Sequence, residues 1–102
     1  MHNADNKMIF PEKITYRVHA IKRMFERSIT TTDIQDTLNT ATILNKYEKD
    51  KPYPSYLLLG WQENRPIHVV VAVNKQENES IIITAYEPTL EEWNKSFKKR
   101  KT

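Results

Sequence analysis

The chain contains no cysteine, which removes disulfides, thiolate metal sites and cysteine nucleophiles together. It has a single glycine, so a glycine-rich phosphate loop is excluded and turns fall to Pro, Asn, Asp and Ser. No apolar run approaches the roughly 20 residues needed to span a membrane. The opening MHNADNKMIF lacks a basic stretch followed by an apolar one and does not read as a secretory signal, so cytoplasm is the expected compartment. No serine sits in a nucleophile elbow. No two of the three histidines stand at a ligand spacing such as i, i+4. Neither a metal nor a cofactor is expected.

What remains fits one globular domain: 102 residues, 38% of them hydrophobic and 28% charged. The net charge of +3 is uneven. Lys95, Lys98, Lys99, Arg100 and Lys101 form an acid-free tail, and taking those five cations from +3 leaves −2 for the rest. A second basic cluster, Arg17, Lys22, Arg23 and Arg27 against Glu26, lies near the start. Such patches attract nucleic acid; a solvated, frayed chain end is the plain alternative for the tail. Three segments are expected: a flexible stretch over 1–13, one α+β domain over 14–97 and a basic tail over 98–102.

Periodicity predicts a helix from Tyr16 to Arg27, capped by Thr15, with Ala20, Ile21, Met24 and Phe25 on its apolar side and Val18 at the margin. His19, Arg23 and Arg27, each four apart, form a stripe on the other side. Thr31 or Thr32 caps a second helix ending near Asn39 or Thr40, with Asp33 and Asp36 near its positive end. Strands follow over 42–47, 56–61, 67–73 and 81–86. Thr89 caps a terminal helix carrying Leu90, Trp93 and Phe97. The expected fold is α+β: two N-terminal helices, a four-stranded, mainly antiparallel sheet and a C-terminal helix. In the sheet Ile67, Val69, Val71 and Val73 share one face, and His68 shares the other with Val70 and Ala72. Ile81, Ile83 and Ala85 oppose Ile82, Thr84 and Tyr86, which gathers His68, Thr84 and Tyr86 on one side.

The run from Tyr16 to Thr30, YRVHAIKRMFERSIT, resembles the opening motif of the DUF4258 family. Three further pieces resemble it in order: Asp50–Ser55, Arg65–Val70, and Ile83–Pro88 followed by Trp93. The family usually has glycine where this chain has Ser28, a residue that suits a left-handed helix terminus. The resemblance implies kinship with the small bacterial toxin ribonucleases of the RelE and BrnT groups, and so a RelE/BrnT-like fold. It also implies an RNA-directed function in a toxin-antitoxin pair, and an antitoxin partner of zinc-finger type.

RNA is cut without metal when its own 2′-hydroxyl attacks the adjacent phosphate. The reaction needs a base, an acid and cations on the phosphate. His19, His68 and Tyr86 are the candidate catalytic residues. Arg23 and Arg27, with Lys98, Lys99 and Arg100 of the tail, are the candidate phosphate contacts. Each has a plainer reading. His19 is an exposed residue, His68 a buried hydrogen-bonded one, Arg23 a partner of Glu26 or Glu87, Arg27 a structural arginine and Tyr86 the edge of the core. Tyr47, Tyr53 and Tyr56 either stack bases or pack beneath a proline loop. The expected function is a metal-independent endoribonuclease; the alternative is a non-catalytic RNA- or protein-binding module of the same fold.

Overall fold

Alternating branched residues build the centre of the molecule, seen in a computed structural model that describes residues 9–40 and 42–101. Strand β4 (Arg65–Asn74) pairs antiparallel with β3 (Ser55–Gln62) on one side and with β5 (Glu79–Tyr86) on the other. Strand β2 (Thr42–Tyr47) adds to the free side of β3, antiparallel again. Ile67, Val69, Val71 and Val73 of β4 join Leu58 and Ile82 in the main core. Helices α1 (Val18–Glu26) and α2 (Thr31–Thr40) cover that face with Ala20, Met24, Ile34 and Leu38. Full burial of each of these Val, Ile, Leu and Met side chains stabilises the fold by about 1.5–3 kcal/mol.

The sheet corrects the four-stranded, mainly antiparallel expectation. It has five strands in the order β1-β5-β4-β3-β2, because Lys13–Tyr16 forms a strand, β1, parallel to β5. Ile14 and Tyr16 alternate inward against the core while Lys13 and Thr15 face out. The Arg17 N–H continues the ladder to the Ile82 carbonyl at 3.1 Å. Tyr16 and Arg17 are thereby held extended, and the first helix begins at Val18 rather than Tyr16. Thr15 does not cap it; its hydroxyl donates to the Glu79 carboxylate.

Helix α1 ends in a left-handed terminus. Ser28 has φ 56°, and the Ile29 N–H reaches back to the Met24 carbonyl at 2.9 Å, the six-to-one bond of a Schellman ending. The cap of α2 is Thr30, one residue before the two expected. Its hydroxyl accepts from the Asp33 N–H at 3.0 Å, and its own N–H donates to the Asp33 carboxylate at 2.9 Å. The single glycine lies where α2 crosses β3. A Cβ on Gly60 would stand 2.8 Å from Cγ2 and 2.9 Å from Cβ of the buried Thr37.

A bulge changes one face assignment. Val70 pairs with Thr84 but Val71 pairs with Ile82, which leaves Ile83 out of register. Ile82 and Ala85 both join the helix-side core, so the expected grouping of Ile81, Ile83 and Ala85 is split.

The expected C-terminal helix is absent from the described residues. Only one turn forms, with the Glu92 and Trp93 N–H groups both on the Thr89 carbonyl. The chain then doubles back: Trp93 bridges Arg100, Asn94 N–H reaches Lys99 O at 2.9 Å, and Lys101 N–H reaches Glu92 O at 2.8 Å. The Asn94 side chain accepts from both the N–H and the hydroxyl of Ser96, a local alternative to helix bonding. The resulting strap, residues 88–101, lies over the sheet face that the helices leave open. Of the expected flexible stretch 1–13, residues 1–8 fall outside the described residues; Phe10 is buried edge-to-face on Tyr56, with ring centroids 5.8 Å apart. Among the described residues no helix is long and apolar enough to cross a membrane.

Candidate functional site

His68 and Tyr86 stand opposite one another on β4 and β5, on the face away from the helices. His68 is fully buried. Its Nε2 lies 2.8 Å from the Phe97 carbonyl and its Nδ1 3.1 Å from the Tyr86 hydroxyl. A carbonyl only accepts, so Nε2 carries the proton. The neutral ring then presents a lone pair at Nδ1, and Tyr86 must donate to it. Trp93 meets the imidazole edge-on at 4.4 Å, and the Arg100 guanidinium sits 5.1 Å above the Trp93 ring.

Burial pushes the His68 pKa below its usual value; the Phe97 hydrogen bond opposes this and the nearby Arg100 charge adds to it. Burial also raises the Tyr86 pKa, partly offset by Arg100. The imidazole is therefore a neutral clip between strand and strap.

Tyr86 borders two hollows. The larger, about 500 Å³, has Leu57, Val70 and Trp93 among its apolar lining, Asn45 and Tyr47 from β2, and Lys98, Lys99 and Arg100 from the strap. The other, about 440 Å³, is lined by Arg27, Glu87, Thr89, Glu92 and Arg100 as well as Tyr86. Arg27 reaches it from the end of α1, where its Nη1 lies 3.4 Å from the Ala85 carbonyl.

The expected site residues thus divide. Tyr86, Lys98, Lys99, Arg100 and Arg27 line the strap-side hollows, and His68 is buried beneath them, joined through Tyr86. His19 and Arg23 do not join them. Both lie on α1, which packs through Ala20 and Met24 on the opposite face of the sheet; His19 is exposed and Arg23 pairs with Glu26 at 3.6 Å. His19 and His68 therefore share no cleft, because strand alternation sends His68 away from the face that receives α1.

Two contributors were not singled out from the sequence. Asn45 enters the larger hollow beside a register shift between Ile43 and Asn45. Arg65 binds Glu87 at 2.9 Å, the Ser28 carbonyl at 3.0 Å and the Arg27 carbonyl, so it ties the end of α1 to the sheet. Its place in the Arg65–Val70 piece was the available signal. Tyr53 is half-buried and Tyr56 is in the core, which leaves Tyr47 as the exposed tyrosine of that group. Among the described residues no three His, Asp or Glu side chains converge as metal ligands.

A family model described as Domain of unknown function (DUF4258) matches residues 16–87, well over half of the chain. It spans α1 to the end of β5 and stops short of the strap. No curated protein and no solved structure matches the chain.

Proposed function

The chain belongs to the DUF4258 family, and from that premise we propose that it binds single-stranded RNA in the strap-side groove. The observation that carries this reading is the convergence of Lys98, Lys99 and Arg100 with Tyr47 and Tyr86 around one hollow with apolar side chains in its lining. Cations track a phosphate backbone, and exposed aromatic rings accept unstacked bases. Asn45 adds an amide able to donate to and accept from a base edge. Arg27 and Arg100 place further guanidinium groups beside Tyr86.

Cleavage is a second reading, favoured by the Tyr86–His68 hydrogen bond. Because Tyr86 donates its proton to His68, its oxygen keeps lone pairs for an incoming hydroxyl. A 2′-hydroxyl giving its proton to Tyr86, with the Tyr86 proton moving to Nδ1 of His68, would become the nucleophile for the adjacent phosphate. The product would carry a 2′,3′-cyclic phosphate, and the leaving 5′-oxygen would take a proton from water. The step makes a buried imidazolium next to Arg100, so it is slow near neutral pH, and binding is the stronger reading. A toxin-antitoxin role of RelE/BrnT type belongs to the catalytic version. There an antitoxin, of zinc-finger type or otherwise, would compete with RNA for the groove.

Fluorescence anisotropy with a labelled single-stranded RNA tests the binding. The combined Lys98→Ala, Lys99→Ala, Arg100→Ala variant should bind at least tenfold more weakly and should lose about 2 from the slope of log K against log salt. Unchanged affinity overturns the assignment. Gel analysis of the same RNA with chelator present tests cutting. Tyr86→Phe should keep binding and abolish any cyclic-phosphate product; a chain that binds without cutting leaves the module reading alone.

A further inference from the structure

The apolar residues of helix α1 lie on one arc that spans just under half its circumference, and the core uses only part of that arc. Ala20 and Met24 are buried. Val18, Ile21 and Phe25 are not: they are 85%, 54% and 88% exposed. At 100° per residue these three, spaced i, i+3, i+7, fall within one narrow stripe on the outer surface. Single exposed apolar residues are ordinary, but an aligned set on one helix marks a contact surface.

The charges around the stripe are basic. Arg17 and Lys22 are exposed, and neither has an acidic partner among the ion pairs of the described residues. Glu26, the one acid of the helix, is engaged by Arg23 at 3.6 Å. A second copy docking face to face would set Arg17 and Lys22 against their own equivalents, a like-charge arrangement that disfavours self-pairing. An acidic partner reverses the sign of that interaction.

We propose that the outer face of α1 is a docking surface for an acidic amphipathic helix of another protein, which seats its apolar side on Val18, Ile21 and Phe25 and its carboxylates beside Arg17 and Lys22. The mode is helix against helix, read through spaced anchors. Phe25 is the central anchor, since an aromatic side chain brings the largest apolar surface. This surface lies on the helix side of the sheet, across from the groove proposed for RNA, so the two sites are independent.

The test uses the full chain, isotopically labelled, and a synthetic helical peptide about three heptads long with Leu at the seam and Glu elsewhere. Saturable shifts at the Val18 and Ile21 methyls and the Phe25 ring are expected. A scrambled peptide of the same composition, and one with Lys for Glu, should leave them unmoved. Phe25→Ser should weaken binding at least tenfold, with Val18→Ser as a second variant; both positions are exposed, so the spectrum elsewhere should stay that of the parent. Absence of shifts, equal binding of the scrambled or lysine peptide, or an unchanged affinity in both variants overturns the proposal. So does light scattering that shows a dimer dispersed by Phe25→Ser, which would make the occupant a second copy.

Discussion

The two faces of the sheet are covered by different kinds of structure. On one side, two helices close over branched residues with Ala20, Met24, Ile34 and Leu38. On the other, an irregular strap is fastened by a histidine, two tryptophans and a few backbone bonds. The helix side is held by many interdigitated apolar contacts. The strap side depends on a small polar network, and it is there that the cations and Tyr86 meet. The strap, which carries the candidate site, is therefore expected to open more readily than the helix cover.

That contrast can be broken by mutation. Leu58→Ala, beneath the helices, should cost about 3–4 kcal/mol and lower the whole denaturant transition. Trp93→Ala should leave more of that transition in place, with fast hydrogen exchange confined to the strap. An equal loss in both variants, with cooperative unfolding in both, would make the two covers energetically alike.

Acid sharpens the same contrast. His68 is neutral when folded, with its pKa held below the ordinary 6.5, while the unfolded chain protonates near 6.5. The native state therefore binds fewer protons below that pH. Its stability is intact above about 6.5 and falls by up to 1.4 kcal/mol per pH unit below it, until the buried ring itself protonates. Thermal melts from pH 7.5 to 5 should show the fall, and His68→Gln should flatten it. A flat profile in the parent protein would mean that the ring is not held neutral. The smallest expected effect lies on the helix side. Ser28→Gly relieves a left-handed residue and should stabilise by about 1 kcal/mol in the same denaturant assay; a loss of stability would show that the serine side chain contributes something the backbone does not.

Legibility followed locality. Strands β2 to β5 and helix α2 were visible because period, breakers and caps all act within a few residues. That His68 and Tyr86 share a face followed from alternation in adjacent strands; their direct pairing depends on a register that alternation does not set. The strand Lys13–Tyr16 was hidden because its partner lies 66 residues along the chain, Lys13 against Glu79, and the four alternating residues of KITY are too short a signal to set apart from the helical period that follows directly. Phe25 and Ile21 were assigned to the core because they share one apolar arc with Ala20 and Met24, and periodicity alone could not choose which edge of that arc turns inward. The terminal helix failed for a different reason. Thr89, Leu90, Trp93 and Phe97 have helical spacing, but Asn94 and Ser96 offer a competing turn, and Phe97 at φ 60° is drawn onto Trp61 and His68. The gathering of Lys98, Lys99 and Arg100 beside Tyr86 depends on that tertiary fold-back and has no local signature.

The parallel pairing of β1 with β5 also orders events during synthesis. Tyr16 meets Ile82, so the first strand has no neighbour until the last one has been made. Helix α1 rests on β5 and waits with it, its apolar residues uncovered. At 5–20 residues per second the interval is roughly 3–13 s. For that time the apolar arc of α1 stays in water, and its burial waits on completion of the strand that covers it.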